Sequence, residues 1–108
     1  MNARRIVIAS VAVLLLFAIV VPVAADGIII FHAEGPTHVP ACPVHGPIDI
    51  VGAGDATMAG IMAALCAGSS PPEAALVGNL AASVTIHQIG ATGTASRQQI
   101  AACFSQQQ

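Results

Sequence analysis

"PIDIVGAGDATMAG", Pro47 to Gly60, crowds turn-forming and acidic residues into a few positions and then runs into an apolar stretch. The whole chain has only five Asp and Glu, and two of them, Asp49 and Asp55, flank this Gly-Ala-Gly. Gly52 and Gly54 admit backbone angles or close approaches that a side chain would block. Beyond Asp55 the period becomes helical: Met58, Ile61, Met62 and Leu65 share a face, and Gly68 stands where a helix stops. The stretch therefore reads as strand or loop, tight turn, then helix. Amides around Ala53, Gly54 and Asp55 would point into that turn with the positive end of the helix dipole, an arrangement that binds anions. A carboxylate held there stays ionised, so Asp55 could take a proton from an attacking hydroxyl. The same amides would stabilise charge on a transferring phosphoryl group. Spacing alone also admits a plainer reading, an Asp that only complements the helix dipole.

On either side the chain has a similar short rhythm. Gly27-Ile-Ile-Ile-Phe31 is a β-branched run that predicts a strand buried on both faces. Glu34-Gly-Pro36 is a turn signal, and Thr37-His-Val-Pro-Ala41 alternates weakly, so a hairpin is expected. With no neighbour in view, Ile28 to Ile30 would expose an edge and invite self-association. Ser70-Pro71-Pro72-Glu73 has the serine, proline and glutamate of a capping box. It predicts a helix with an apolar stripe of Leu76, Val77, Leu80, Ala81 and Val84, ended by Gly90. Ser96-Arg-Gln-Gln99 repeats the box ahead of a short helix through Ile100 to Phe104, and Gln106 to Gln108 should fray.

Composition removes several functions. The 108 residues are 56% hydrophobic and 7% charged, with a formal net charge of −2. Three basic residues cannot track a phosphate backbone, and a chain with no Trp or Tyr offers no base-stacking platform, so nucleic acid is not an expected partner. Part of the apolar content belongs to the N-terminus. Arg4 and Arg5 precede an uncharged run from Ile6 to Val21, and Pro22-Val23-Ala24-Ala25 supplies small residues at its exit. That pattern predicts an apolar helix over residues 1–25, a signal peptide or a membrane anchor touching the bilayer through residues 6–23. Residues 26–108 are left for a domain. Cys42, Cys66 and Cys103 are odd in number and widely spaced, which does not indicate a disulfide framework. Cys42-Pro-Val-His45 lacks the second half of a zinc site. His32, His38 and His87 read as loop or element-end residues.

Asp49-Ile-Val-Gly-Ala-Gly-Asp55-Ala-Thr-Met-Ala-Gly60 resembles the C-terminal signature of the ribokinase-like (PfkB) sugar kinases, which runs Asp-Thr-x-Gly-Ala-Gly-Asp into a helix. The stretches Gly27 to Phe31, Thr37 to Pro40 and Glu73 to Thr94 look like the same family's closing section, so the resemblance covers residues 27–104. It implies an α/β fold of which this is the C-terminal fragment, short strands followed by two to three helices. By resemblance Asp55 is the catalytic base that deprotonates a sugar hydroxyl, and Gly52, Ala53 and Gly54 form the anion hole over the γ-phosphate. Asn79 matches a position lining an adenine pocket. Asp49 and the Val51 carbonyl match half of a monovalent-cation site, with Thr85, Gln88, Gly90 and Thr94 in the other half. Gly90-Ala-Thr-Gly-Thr94 also suits a hard cation on its own chemistry, being rich in carbonyls and hydroxyls. The implied cofactors are ATP, Mg2+ and K+, and the implied partners are ATP and a sugar-like substrate.

Two positions depart from the pattern: Ile50 stands where the family has Thr, and Thr57 where an aromatic is common. The sugar-binding residues and lid of such kinases would lie N-terminal to everything seen here. The expectation is a carbohydrate kinase fragment, incomplete and inactive as an isolated chain. The alternative is a small exported or membrane-tethered binding protein, or a non-functional remnant, that keeps the scaffold without catalysis. The leader argues for export or anchoring, the resemblance for the cytoplasm.

Overall fold

A computed structural model describes residues 2–8, 20–22, 26–91 and 93–108. Three strands, β1 (Val20–Pro22), β2 (Ile28–His32) and β3 (Gly35–Val39), form an antiparallel sheet in that order. Helices α1 (Ala53–Cys66), α2 (Pro71–Thr85) and α3 (Arg97–Gln106) follow.

The expected hairpin forms, with β2 and β3 paired from Ile28↔Val39 to His32↔Gly35. Its turn is Ala33-Glu34, one step earlier than the Gly-Pro signal suggests, and Gly35 enters β3 at φ +103°. Two sequence expectations for β2 are corrected. Ile28 and Ile30 are buried, but Phe31 between its neighbours is 42% exposed, so one face is covered and the other is open. Nor is β2 an edge: Val20↔Ile30 and Pro22↔Ile28 pair it with β1 on its free side. Among the described residues the sheet edges are β1 and β3. β1 lies upstream of residue 26, where the sequence reading begins the domain.

The predicted apolar N-terminal helix falls mainly on residues 9–19 and 23–25, outside the described residues. Residues 3–8 are helical, and among the described residues no helix is long and apolar enough to cross a membrane.

Helix α1 ends in a Schellman motif, with Ser69 N–H on Ala64 O and Gly68 N–H on Leu65 O at 3.0 Å each. Gly68 takes the left-handed angle, φ +92°, that this stop requires. Helix α2 opens with the predicted box: Glu73 N–H donates to Ser70 Oγ, and Ser70 N–H to Glu73 Oε1. It stops at Thr85, five residues before Gly90, because the backbone turns at residues 86–91. Ser96 and Gln99 make the same reciprocal bonds at the start of α3.

The buried face of α2 takes in Leu80 and Ala81 of the predicted stripe but is otherwise shifted toward small residues. Ala74, Ala75, Gly78, Asn79, Leu80 and Ala81 are buried, whereas Leu76, Val77 and Val84 are only half-buried. Close packing selects the small side. Ala74 and Ala75 join Ile28, Ile30 and Ile61 in the core, with Val39, Met58 and Leu65 against it. Burying each of the three isoleucines stabilises the fold by about 2–3 kcal/mol.

At the crossing of α1 and α2 neither helix has a side chain to spare. A Cβ on Gly60 would lie 3.1 Å from Gly78 Cα, and one on Gly78 would lie 2.8 Å from Ile61 Cγ1 and 2.9 Å from Thr57 O. Gly78→Ala should therefore destabilise the chain by about 1–3 kcal/mol in urea unfolding, because a backbone oxygen must move. Gly54→Ala, with nothing within 4 Å of the new methyl, should leave the midpoint unchanged or higher.

Candidate functional site

Asp49 organises the approach to α1. Its Oδ1 accepts the Val51 N–H at 3.0 Å, closing a tight turn on its own chain. Its Oδ2 accepts the Gly90 N–H, also at 3.0 Å, from the loop after α2. The backbone repeats the link, since Asp49 N–H donates to Ile86 O at 2.7 Å. The Val51 bond first, and the Gly90 bond second, hold the Asp49 carboxyl below the usual carboxylate range. Asp49 thus latches one loop to the other.

Gly52 then takes the N-cap position of α1 at φ +82°, a left-handed angle natural to glycine, and no side chain caps the helix. Ala53 N–H is bonded to Ile50 O and Ala56 N–H to Gly52 O, both at 3.1 Å. The amides between them, of Gly54 and Asp55, belong to the first turn, where a helix offers no internal acceptor. Asp55 is exposed in that turn, next to the positive end of the helix. Thr57, where an aromatic was the family expectation, donates its hydroxyl to Ala53 O at 2.8 Å and so braces the turn from inside.

Gln88 closes the loop beyond α2. Its amide donates to Thr94 O at 2.6 Å and accepts Thr94 N–H at 3.0 Å, imitating a backbone pair. Gly93 has to be a glycine: a Cβ there would sit 2.8 Å from both Thr85 O and Gln88 Oε1. Those two oxygens pack directly against Gly93.

A cavity of about 850 Å³ lies between the N-terminus of α1 and helices α2 and α3. Its walls include Gly52, Asp55, Thr85, Thr94, Arg97 and Phe104. Four residues singled out from the sequence, Gly52, Asp55, Thr85 and Thr94, meet on this one cavity. Asp49, Val51 and Gly90 stand behind it as the latch, and Gln88 as the loop closure. Asn79 lies elsewhere. It is 8% exposed, and its Nδ2 donates to Val39 O at 3.1 Å and Pro40 O at 2.9 Å, tying α2 to the end of β3.

Arg97 and Phe104 were not candidates in the sequence. Arg97 is the only cation of the chain outside the N-terminal pair, and the Ser96 box sets it at the first helical position. That was the one available signal. Among the described residues no three His, Cys, Asp or Glu groups could hold a metal ion together.

A model of the pfkB family carbohydrate kinases matches residues 16–98. The chain belongs to this family. The match begins upstream of the residue 27 limit of the sequence resemblance and takes in β1. An inositol 3-kinase of Arabidopsis thaliana is 36% identical over 75 residues, which are 69% of this chain and 21% of that protein. A Burkholderia thailandensis nucleoside kinase, solved in complex with inosine, superposes with a TM-score of 0.74 at 25% identity, over 82% of this chain and 29% of that one. The aminoimidazole riboside kinase of Salmonella enterica, solved with its riboside and an ATP analog, gives 0.69 at 28% identity, over 80% and 31%. The chain thus spans between 15% and 21% of the length of the curated relatives it matches. The structural neighbours are ribokinase-family kinases, and the fold is the α/β fragment that the PfkB resemblance implied.

The Asp49 latch has a pH signature. Its carboxyl is lowered in the folded state, so its contribution is present above the unfolded pKa and is lost as pH falls through the folded value. Wild-type stability should fall on acidification below the usual carboxylate range, and Asp49→Asn should flatten that fall. Hydrogen exchange should show the Val51 and Gly90 amides exchanging faster in Asp49→Ala than in the wild type.

Proposed function

We propose that this PfkB-family chain carries the phosphoryl-transfer end of an ATP-dependent kinase acting on a sugar or sugar-bearing nucleoside hydroxyl. One observation carries the reading. Gly52 and Asp55, at the start of α1, line a cavity whose volume lies in the range of small-ligand pockets, and no side chain caps the helix there. In this reading Asp55 accepts the proton of the attacking hydroxyl. The Gly54 and Asp55 amides, with Gly52 and Ala53 shaping the turn, face the developing negative charge. General-base assistance of this kind contributes about 10²–10⁴-fold.

Arg97, on the cavity wall with Asp55, adds a fixed positive charge suited to phosphate oxygens. Asn79 acts at a distance in this proposal, by fixing α2 against the sheet rather than by touching adenine. Mg2+ would neutralise phosphate charge when bound. K+ is proposed for the loop that carries Thr85, Gln88, Gly90 and Thr94, which Asp49 latches to the start of α1.

The transfer itself is proposed to need the remainder of a kinase fold. Ile50 and Val51, 72% and 65% exposed beside the motif, are the kind of surface that further chain would cover. The comparisons are with kinases and do not favour the binding-protein alternative.

The test is a chimera in which this chain's hairpin and three helices replace the matching section of the Thermotoga maritima ribokinase, which superposes with a TM-score of 0.73. The chimera should release ADP in a sugar-dependent way. Asp55→Asn should lower its kcat by about 10²-fold or more with nucleotide affinity nearly unchanged. A folded chimera that turns over equally well with Asn at position 55 would remove the base from this account.

A further inference from the structure

The paired arginines near the N-terminus take no part in the site around Asp55. All of the described residues 2–8 are exposed. Asn2 starts the helical turn over residues 3–8. Its Oδ1 and its carbonyl both accept the Arg5 N–H at 3.1 Å, and the carbonyl accepts the Ile6 N–H at 3.2 Å. Arg4 and Arg5 lie in that turn, and Ile6, Val7 and Ile8 follow at 51%, 59% and 61% exposed. Nowhere else among the described residues do three consecutive large apolar side chains face solvent. Charge is divided along the chain in the same way. All five acids lie from Asp26 onward against Arg97 alone, a formal −4, while the residues before them carry +2.

Strand β1 limits what this end can do. Val20↔Ile30 and Pro22↔Ile28 pair it to β2, so the sheet claims the N-terminal apolar run from Val20 onward. Residues 6–19 remain, fourteen without a charge. As a continuous helix they would measure about 21 Å, against about 30 Å for the hydrocarbon core of a bilayer. The run is apolar enough for a membrane and too short to cross one while β1 stays in the sheet.

We infer that residues 3–8 dock on the surface of an anionic membrane, peripherally and without a span. Arg4 and Arg5 meet the phosphates and carboxylates of the headgroups, their long stems lying along the apolar boundary. Ile6, Val7 and Ile8 enter the layer between headgroups and acyl chains, which takes them out of water. The body, at a formal −4, is repelled by the same surface, so the contact rests on this end alone. A second copy fits less well, because two such ends carry the same sign. Such docking is independent of the kinase reading.

The test is flotation of the full chain with vesicles of phosphatidylcholine alone and of an equimolar mixture with phosphatidylserine. The chain should bind the anionic vesicles about 10–30-fold more tightly, as two arginines near the surface imply. At 1 M salt, where the screening length is about 3 Å, that preference should disappear. Arg4→Glu with Arg5→Glu, at exposed positions and with unchanged circular dichroism, should abolish it at low salt. Ile6→Ser, Val7→Ser and Ile8→Ser together should weaken binding to both kinds of vesicle. Equal binding to the two vesicles, binding to neither, or unchanged binding of the triple serine variant would overturn the inference. So would a vesicle fraction that keeps the chain through an alkaline carbonate wash, which marks a bilayer span. Salt-sensitive dimers with no vesicle binding would also overturn it, by assigning this surface to a second copy.

Discussion

Helices α1 and α2 cross where neither has a side chain, and that contact sets everything built on it. Gly60 faces Gly78 so closely that a methyl on either would meet backbone, and Ile61 fills the remaining space. The approach determines which residues α2 can bury. Ala74 and Ala75 pack inward, and Leu76 and Val77, with Leu80 and Ala81, line the Asp55 cavity. With α2 drawn in, Asn79 can reach the carbonyls of Val39 and Pro40 and fasten the helix pair to the sheet.

The N-terminus of α1 is thereby held at one height above the sheet, and the loops around it are shaped by backbone hydrogen bonds. Asp49 spends both carboxylate oxygens on amides from two separate loops, and Gln88 spends its whole amide on Thr94. These polar side chains are structural in the direct sense: each replaces a strand or helix neighbour that a loop lacks. Asp55 is the contrast. It is exposed, and no hydrogen bond within the described residues claims its carboxylate. An acidic group left unengaged at a helix N-terminus, beside a cavity, is the feature on which the proposed role of Asp55 rests.

How much of this was legible in the sequence depended on the range of the interaction. The caps at Ser70 and Ser96 and the stop at Gly68 rest on contacts a few residues apart, and they were readable. The turn at Gly52 was equally local. The buried face of α2 was readable only at Leu80 and Ala81, because periodicity favours large residues whereas a glycine crossing favours small ones. Neither was the partner of β2, since β1 is three residues long and sits inside a run that reads as a leader. Asn79 drew attention for a ligand, and its hydrogen bonds to the end of β3, some 40 positions away in sequence, were not legible. Arg97 and Phe104 reach the cavity only because α3 folds back across α2, and no motif announces that.

The proposed chemistry requires the first turn of α1 to be an anion site beside the Asp55 carboxylate. Nitrogen–proton correlation spectra of the full chain, titrated with ATP, test it most directly. Amide resonances of Gly52, Ala53, Gly54 and Asp55 should move together and saturate, with inorganic phosphate moving the same group at higher concentration. The amides around Asn79 should stay in place. Shifts confined to other parts of the chain, or no saturable shift in the α1 turn, would contradict the account.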